Sequence, residues 1–232
     1  MADASPTERL RGRRLYLCTA DRPDLAEFID ACIVGGVDIV QLRDKHLDAR
    51  PLIARALVAK EVCARYGVPF ILNDRSDLAL ACEADGVHVG QDDAPVEVAR
   101  QVLGEGAIIG LSTHSPAQWM AAVEEPAGYL SAGPVNATPT KPGRPGTGLA
   151  YLDFASSSAR GQTIPWFVTG GANPDTVDEM AAHGARRFVA VRYLTESADP
   201  EASARSLRAA IDRHWGPSEA AATKDPRSRP PY

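Results

Sequence analysis

A single (β/α)8 TIM barrel with parallel strands is the fold class this sequence predicts. Three observations point to it. Eight short apolar runs are each followed by a stretch whose apolar residues fall at helical spacing, with roughly 25 residues per unit. The chain of 232 residues is long enough for one full-sized domain with a sizeable core. No early GxGxxG fingerprint supports the alternative, an open doubly wound sheet. Regular alternation of strand and helix implies parallel strands joined by right-handed crossovers.

The elements follow in order. Residues 1–13 are polar and are expected to form a flexible N-terminal segment. Arg14–Ala20 is the first strand. In Asp24–Gly35, residues Leu25, Phe28, Ile29, Cys32 and Ile33 mark one helical face; Asp24, beside Pro23, is a plausible N-cap and Gly35-Gly36 a stop. Asp38–Leu42 is the second strand, and Asp48–Tyr66 a long helix closed by Gly67. Val68–Leu72 and Ser76–Ala84 form the third pair, Gly86–Val89 and Pro95–Leu103 the fourth. Ala107–Leu111 is the fifth strand; the helix Pro116–Glu124 has Ser115 as cap and proline in its first position. Tyr129–Ala132 precedes a long loop and the helix Leu149–Ser157. Ile164–Val168 is followed by Pro174–His183, capped by Asn173 and stopped by Gly184. Arg187–Val191 and Ala202–His214 complete the set. The catalytic domain is thus expected over 14–214. Residues 215–232 are expected to be a disordered C-terminal tail, since from Pro217 the composition is Pro, Ser, Ala and charge.

Composition narrows the function classes. A formal charge of −5 and a pI near 5.6, with no basic stripe, argue against a nucleic-acid binder. Apolar segments are interrupted well short of the ~20 residues a membrane span needs, and no apolar signal region follows the N-terminus. Cys18, Cys32, Cys63 and Cys82 are widely spaced among apolar neighbours, as reduced core residues of a cytoplasmic protein would be. The expected partners are small-molecule substrates. Neither nucleic acid nor membrane is implied, and a homo-oligomer is compatible with the sequence.

A barrel carries its active site at the C-terminal ends of its strands, and there the reactive side chains gather. Gln41, Arg43 and Lys45 follow the second strand, and Asn73 and Asp74 the third. His88 lies within the fourth, with Gln91, Asp92 and Asp93 behind it. Ser112, Thr113 and His114 follow the fifth, Gly170-Gly171 the seventh and Arg192 the eighth. Arg43 and Lys45 read either as solvated loop charges or as ligand contacts; convergence of the loops on the barrel axis favours contact. Asp74 and Asp93 read either as helix N-caps or as a pair of oxygen donors for a divalent cation bridging phosphates. Asp92 competes with Asp93 for that role. Oxygen ligands with no His/Cys cluster suit Mg²⁺. His88, flanked by valines, reads equally as a satisfied core histidine or a catalytic one. Ser112 and His114 lack the GxSxG elbow and a third partner that nucleophilic acyl chemistry would need.

The loop Gly133–Leu149 holds four prolines, four glycines, three threonines, a lysine and an arginine. Proline removes donors and glycine adds backbone entropy, so it forms neither helix nor central strand. It reads as a mobile surface loop or as an oxyanion cradle, and its place after the sixth strand favours the second. Two groups of oxyanion ligands result. Arg43, Lys45, Asn73, Asp74 and Asp93 combine cations with carboxylates, as a diphosphate with Mg²⁺ requires. Thr138, Thr140, Gly171 and Arg192 contain no carboxylate and suit a metal-free monophosphate. Gly170-Gly171 before a helix capped by Asn173 provides backbone N–H groups and a helix dipole. Lys141 can serve either group. Two phosphorylated substrates in one barrel mouth is the inference.

The ordered set QLRDK, ND, DGVHVGQDD, GLSTHS, GP…TPTKPGRPGTGL and TGG, spread over about residues 14–214, resembles the thiamine-phosphate synthase family. The resemblance implies a transferase of thiamine biosynthesis. Such an enzyme condenses 4-amino-2-methyl-5-(diphosphooxymethyl)pyrimidine with a (carboxy)thiazole phosphate, releasing diphosphate with the help of Mg²⁺. It also implies residue roles. Gln41, Leu42, Arg43, Asp44, Lys45, Asn73 and Lys141 would hold the pyrimidine diphosphate, and Ser112 would contact the pyrimidine. Asp74 and Asp93 would bind the metal, the GQxD pattern selecting Asp93 over Asp92. Thr138, Pro139, Thr140, Gly171, Val191 and Arg192 would form the thiazole-phosphate site. Arg43, Lys45, Ser112 and Lys141 would carry catalysis. Where the family usually has serine after the aliphatic residue of the eighth strand, this chain has Arg192, expected as a cationic clamp or as backbone only. Pro142–Gly148 is expected to act as a lid that orders with ligand. The alternatives are a thiazole tautomerase-like paralogue, which needs no paired carboxylates, a phosphoribosyl isomerase-type barrel, and a non-catalytic phosphate-ligand-binding barrel.

Overall fold

The structure is a computed structural model that describes residues 5–122, 124–138, 145–158 and 161–216. Eight parallel strands close into a barrel in sequence order: β1 Leu15–Thr19, β2 Ile39–Leu42, β3 Phe70–Asn73, β4 Gly86–Val89, β5 Ile108–Thr113, β6 Tyr129–Ala132, β7 Trp166–Val168 and β8 Phe188–Ala190. β8 pairs back onto β1, with Leu15 opposite Phe188. The helices are α1 Pro6–Leu10, α2 Leu25–Val34, α3 Ala49–Arg65, α4 Ser76–Ala81, α5 Val96–Leu103, α6 Pro116–Ala122, α7 Ala150–Ser157, α8 Pro174–Ala182, α9 Arg192–Thr195 and α10 Pro200–Asp212.

Two cores follow from the period-two geometry of the strands. Outward residues such as Leu17, Val40, Leu72, Val87, Ile109, Leu130 and Val168 pack against the helices. Inward residues Tyr16, Ile39, Ile71, Ile108, Tyr129 and Phe167 form a second cluster inside the barrel. Leu10 joins this inner cluster and is fully buried. It comes from α1, which lies in the segment predicted to be flexible. The cause is local: Ser5 and Glu8 form a capping box, Pro6 occupies the first turn, and Arg9 pairs with Asp85 at 2.6 Å. A one-turn helix carries too little apolar periodicity to announce itself, though its capping box stands in the sequence.

The remaining differences are small. α9 was not predicted, being only 4 residues long. Asp24 makes no capping bond; its carboxylate accepts from the Arg22 guanidinium instead, at 2.6 Å. Ser115 and Asn173 do accept from the first-turn amides of α6 and α8. Trp215, placed with the tail, stacks on Arg14 and Arg187, whose guanidinium carbons lie 4.7 and 5.1 Å from its ring centre. The rest of the predicted tail, 217–232, lies outside the described residues. All four cysteines are buried thiols outside any disulfide. Among the described residues no helix is long and apolar enough to cross a membrane.

Candidate active site

The C-terminal mouth of the barrel opens on a cavity of about 500 Å³, the size of a small-ligand site. Its diphosphate-type wall comes from the loops after β2, β3 and β4. Period-two geometry decides which residues of Gln41–Lys45 reach it. Gln41, Arg43 and Lys45 line the cavity. Leu42 and Asp44, expected among the contacts, do not. Leu42 faces the helices, fully buried in the outer core. The Asp44 carboxylate holds the loop in shape by accepting from the N–H groups of His46 at 2.8 Å and Leu47 at 3.0 Å. Any ligand contact from these two therefore has to come from backbone.

Asp74 and Asp93 both line the cavity, and neither caps a helix: the cap positions of α4 and α5 are Arg75 and Pro95. Asp93 lies close enough for its charge to act on the Asp74 carboxyl. Lys45 Nζ pairs with Asp74 Oδ2 at 2.9 Å, and Asp93 Oδ2 accepts from Gly90 N–H at 2.8 Å. Burial pushes the Asp74 carboxyl above its usual range and the Asp93 charge pushes the same way, against the pull of Lys45. Asp74 also holds a left-handed backbone with φ 61°, rare outside glycine. Two adjacent carboxylates, one of them on left-handed backbone, make an oxygen-donor pair at the rim. Two carboxylates fit Mg²⁺, which takes few protein oxygens and completes its shell with water and phosphate. Among the described residues no group of three or more His, Cys, Asp or Glu offers an alternative centre. Asp92 lines the cavity but is not the partner of Asp74.

The opposite wall comes from the loops after β6, β7 and β8, where Thr138, Gly171, Val191 and Arg192 line the cavity. Arg192 opens α9 with an exposed side chain. Glu196 lines this wall too, so it is not free of carboxylates as the sequence implied. The base of the long loop is stitched down: Val135 N–H donates to Thr169 O at 2.8 Å and Thr147 N–H to Pro134 O at 2.8 Å. A side chain at Gly170 would run into the Val135 amide at 2.5 Å, so glycine there is what lets the two loops touch. Thr147 and Gly148, the end of the predicted lid, are thus fixed to the backbone of Pro134 and Val135, just after β6. Pro139, Thr140, Lys141 and 142–144 lie outside the described residues.

The cavity floor holds residues that reading strand ends alone overlooked: Tyr16, Cys18, Tyr129 and Ser131. They join Gln41, Asn73, His88 and Ser112 as the upper inward layer of the barrel. His88 Nδ1 meets Tyr129 Oη and its Nε2 meets Ser112 Oγ, both at 2.9 Å. Gln91 Nε2 donates to the Ser112 carbonyl at 2.7 Å. Inward parity with Gln41 and Ser112 was the available signal. Polar tips above an apolar layer mark the floor of a barrel site.

Fold and site together define a (β/α)8 barrel whose mouth is lined by cations, carboxylates, hydroxyls and a glycine-rich turn. The family model described as thiamine monophosphate synthase matches residues 15–194. The thiamine-phosphate synthase of Thermobifida fusca is 51% identical over 211 residues, covering 89% of this chain and 95% of that protein. That of Mycobacterium tuberculosis is 45% identical over 215 residues, covering 88% and 96%. The solved thiamine phosphate pyrophosphorylase of Pyrococcus furiosus superposes with a TM-score of 0.79 at 29% identity, over 89% of this chain and all of that one. A 3-hexulose-6-phosphate synthase, at 20% identity and TM-score 0.63, shares the fold alone. The chain belongs to the thiamine monophosphate synthase family and is a transferase enzyme.

Proposed function

We propose that the enzyme joins the methylene carbon of 4-amino-2-methyl-5-(diphosphooxymethyl)pyrimidine to the ring nitrogen of a thiazole phosphate, giving thiamine phosphate and diphosphate. The observation that carries this reading is the paired Asp74 and Asp93 carboxylates beside Lys45 and Arg43, across one cavity from Thr138, Gly171 and Arg192. A thiazole tautomerase has no use for the first group.

On this reading Arg43 and Lys45 neutralise the diphosphate, which leaves with the electron pair of the breaking C–O bond. Lys141 adds a third cation. Asp74 and Asp93 would hold Mg²⁺, which would supply further charge neutralisation for the leaving group. The aminopyrimidine delocalises the positive charge left on its methylene, and the thiazole nitrogen lone pair then forms the C–N bond. No protein nucleophile is needed, so the substitution is dissociative and the chain supplies position and electrostatics. Asn73 and Ser112 orient the pyrimidine. Thr138, Thr140, the Gly171 N–H and Arg192 hold the monophosphate, Arg192 acting as a cationic clamp. The cytoplasm is the expected compartment.

The direct experiment mixes the two phosphorylated substrates with and without Mg²⁺ and measures thiamine phosphate and diphosphate together. Stoichiometric products that require the metal are expected. No product in either mixture would overturn the reading.

A further inference from the structure

We propose that Tyr16, Tyr129 and His88 are positioning residues. A one-way chain of neutral hydrogen bonds starting at Gln41 sets His88 as its Nε2–H tautomer and leaves Ser112 as a hydrogen-bond donor into the cavity. The ligand atom this selects is an unprotonated ring nitrogen, which rests on the pyrimidine substrate proposed above.

The direction follows from counting protons. The Cys18 thiol donates to Gln41 Oε1 at 3.2 Å, so the amide nitrogen of Gln41 is the end that faces Tyr16, donating to Tyr16 Oη at 2.8 Å. A hydroxyl has one proton to give. Tyr16, already accepting, gives its proton to Tyr129 Oη, 2.9 Å away. Tyr129 in turn gives its proton to His88 Nδ1 at 2.9 Å. A neutral imidazole then carries its hydrogen on Nε2 and donates it to Ser112 Oγ at 2.9 Å. Ser131 Oγ also donates to Ser112 Oγ, at 3.4 Å. Ser112 accepts twice within the protein, and its own proton is left for whatever occupies the cavity it lines. The reverse direction would set the Tyr16 proton against the Gln41 N–H, two donors facing each other in a buried place.

The surroundings hold this arrangement. Tyr16 and Tyr129 are each only 1% exposed, and burial pushes both phenols upward, so they remain O–H donors and do not shuttle protons. The His88 and Tyr129 rings stack with centres 5.4 Å apart. A Cβ at Gly110 would overlap both the Tyr129 ring and His88 Nδ1, so glycine makes the junction possible.

The test is NMR of isotopically labelled histidine in the full chain, reading the His88 tautomer from its ring carbon and nitrogen shifts, in wild type and in Tyr129→Phe. Wild type is expected to show the Nε2–H form, and the variant to lose the preference. In kinetics, Tyr129→Phe lowers kcat/KM for the pyrimidine substrate about tenfold and leaves the KM for the thiazole phosphate unchanged. Against a pyridine analogue with C–H in place of the ring nitrogen, wild type binds about tenfold more weakly than to the pyrimidine, and the variant shows no difference. If Tyr129→Phe does not fold, Tyr16→Phe removes the oxygen that directs the Tyr129 proton toward His88, and the same readouts are expected to shift in the same direction by a smaller amount. An Nδ1–H tautomer in wild type overturns the direction of the chain. Undiminished discrimination in both variants overturns the positioning role. Failure of wild type to condense the two substrates would instead sink the proposed function, leaving the tautomer measurement to judge the chain by itself.

Discussion

At the N-terminal end of the barrel Asp38 accepts from the N–H groups of Arg14 and Leu15 and pairs with Arg208 at 2.9 Å. Asp85 pairs with Arg9 at 2.6 Å and Lys60 at 2.8 Å and accepts from Phe70 N–H. At the C-terminal end Asp74 and Asp93 face each other, with Lys45 paired to Asp74 and Gly90 N–H donating to Asp93. The same residue type does opposite work. Below, each carboxylate ties strands, helices and cations together: burial raises the Asp38 carboxyl against the pull of Arg208 and Arg13, while Lys60 and Arg9 outweigh burial at Asp85. Above, the charge is answered only in part, and one of the two residues sits in left-handed backbone. At the C-terminal end left-handed backbone and a neighbouring like charge meet in one residue, Asp74, whereas Glu83, the left-handed residue at the other end, is not among the carboxylates that tie that end together.

The largest effect is expected from Asp93→Asn. The amide oxygen still accepts from Gly90, but the like charge beside Asp74 is gone. Turnover with Mg²⁺ should fall by about 100-fold or more, the scale of losing one electrostatic group at a reacting centre. The thermal midpoint should rise, by an amount worth about 1 kcal/mol or less. Steady-state kinetics and calorimetry on one sample read both. A variant that loses activity and stability together would erase the contrast between the rims.

Next comes Asp38→Ala, which takes one of its two carboxylate partners from Arg208 and leaves the Arg14 and Leu15 N–H groups without their side-chain acceptor. Loss of about 3 kcal/mol in denaturant unfolding is expected, with kcat of the folded fraction unchanged. Asp85 adds a pH signature. Lys60, the Phe70 N–H and Arg9 together outweigh burial and hold its carboxyl below the usual range. A depressed folded value contributes stability that is present above the unfolded pKa of about 4 and lost as pH falls through the folded value. The stability gap between wild type and Asp85→Asn should therefore be full at pH about 6 and shrink toward pH about 3. A gap that stays constant would mean the Asp85 charge does no work.

The eight units, their order and the polar rim were legible because strand–helix alternation is long-range and strong. Gly86–Val89 and Tyr129–Ala132 match residue for residue. What escaped was governed by rules acting over one or two residues. Leu42 and Asp44 were grouped with Gln41, Arg43 and Lys45 by motif, but alternation along β2 turns Leu42 toward the helices, and Asp44 in the following loop accepts from the His46 and Leu47 amides. Tyr16, Tyr129 and Ser131 sit inside apolar runs, where their polar tips look like core. Leu10 depends on a one-turn helix. Glu196 depends on α9, whose four residues leave no periodicity to read.

The smallest effect sharpens the comparison most. Lys45→Met removes the cation paired with Asp74 and keeps the length of the side chain. Lys45 is 49% exposed, so the pair is well screened and stability should change by less than about 1 kcal/mol. Removal of Arg208, 23% exposed and joined to both Asp38 and the Gly36 carbonyl, should cost more. On binding the order reverses. Lys45→Met should raise KM for the diphosphate substrate about tenfold and leave KM for the thiazole phosphate alone, because the two groups sit on opposite walls. Equal rises in both constants would mean that the cavity has one shared anion site, and the division into two walls would fail.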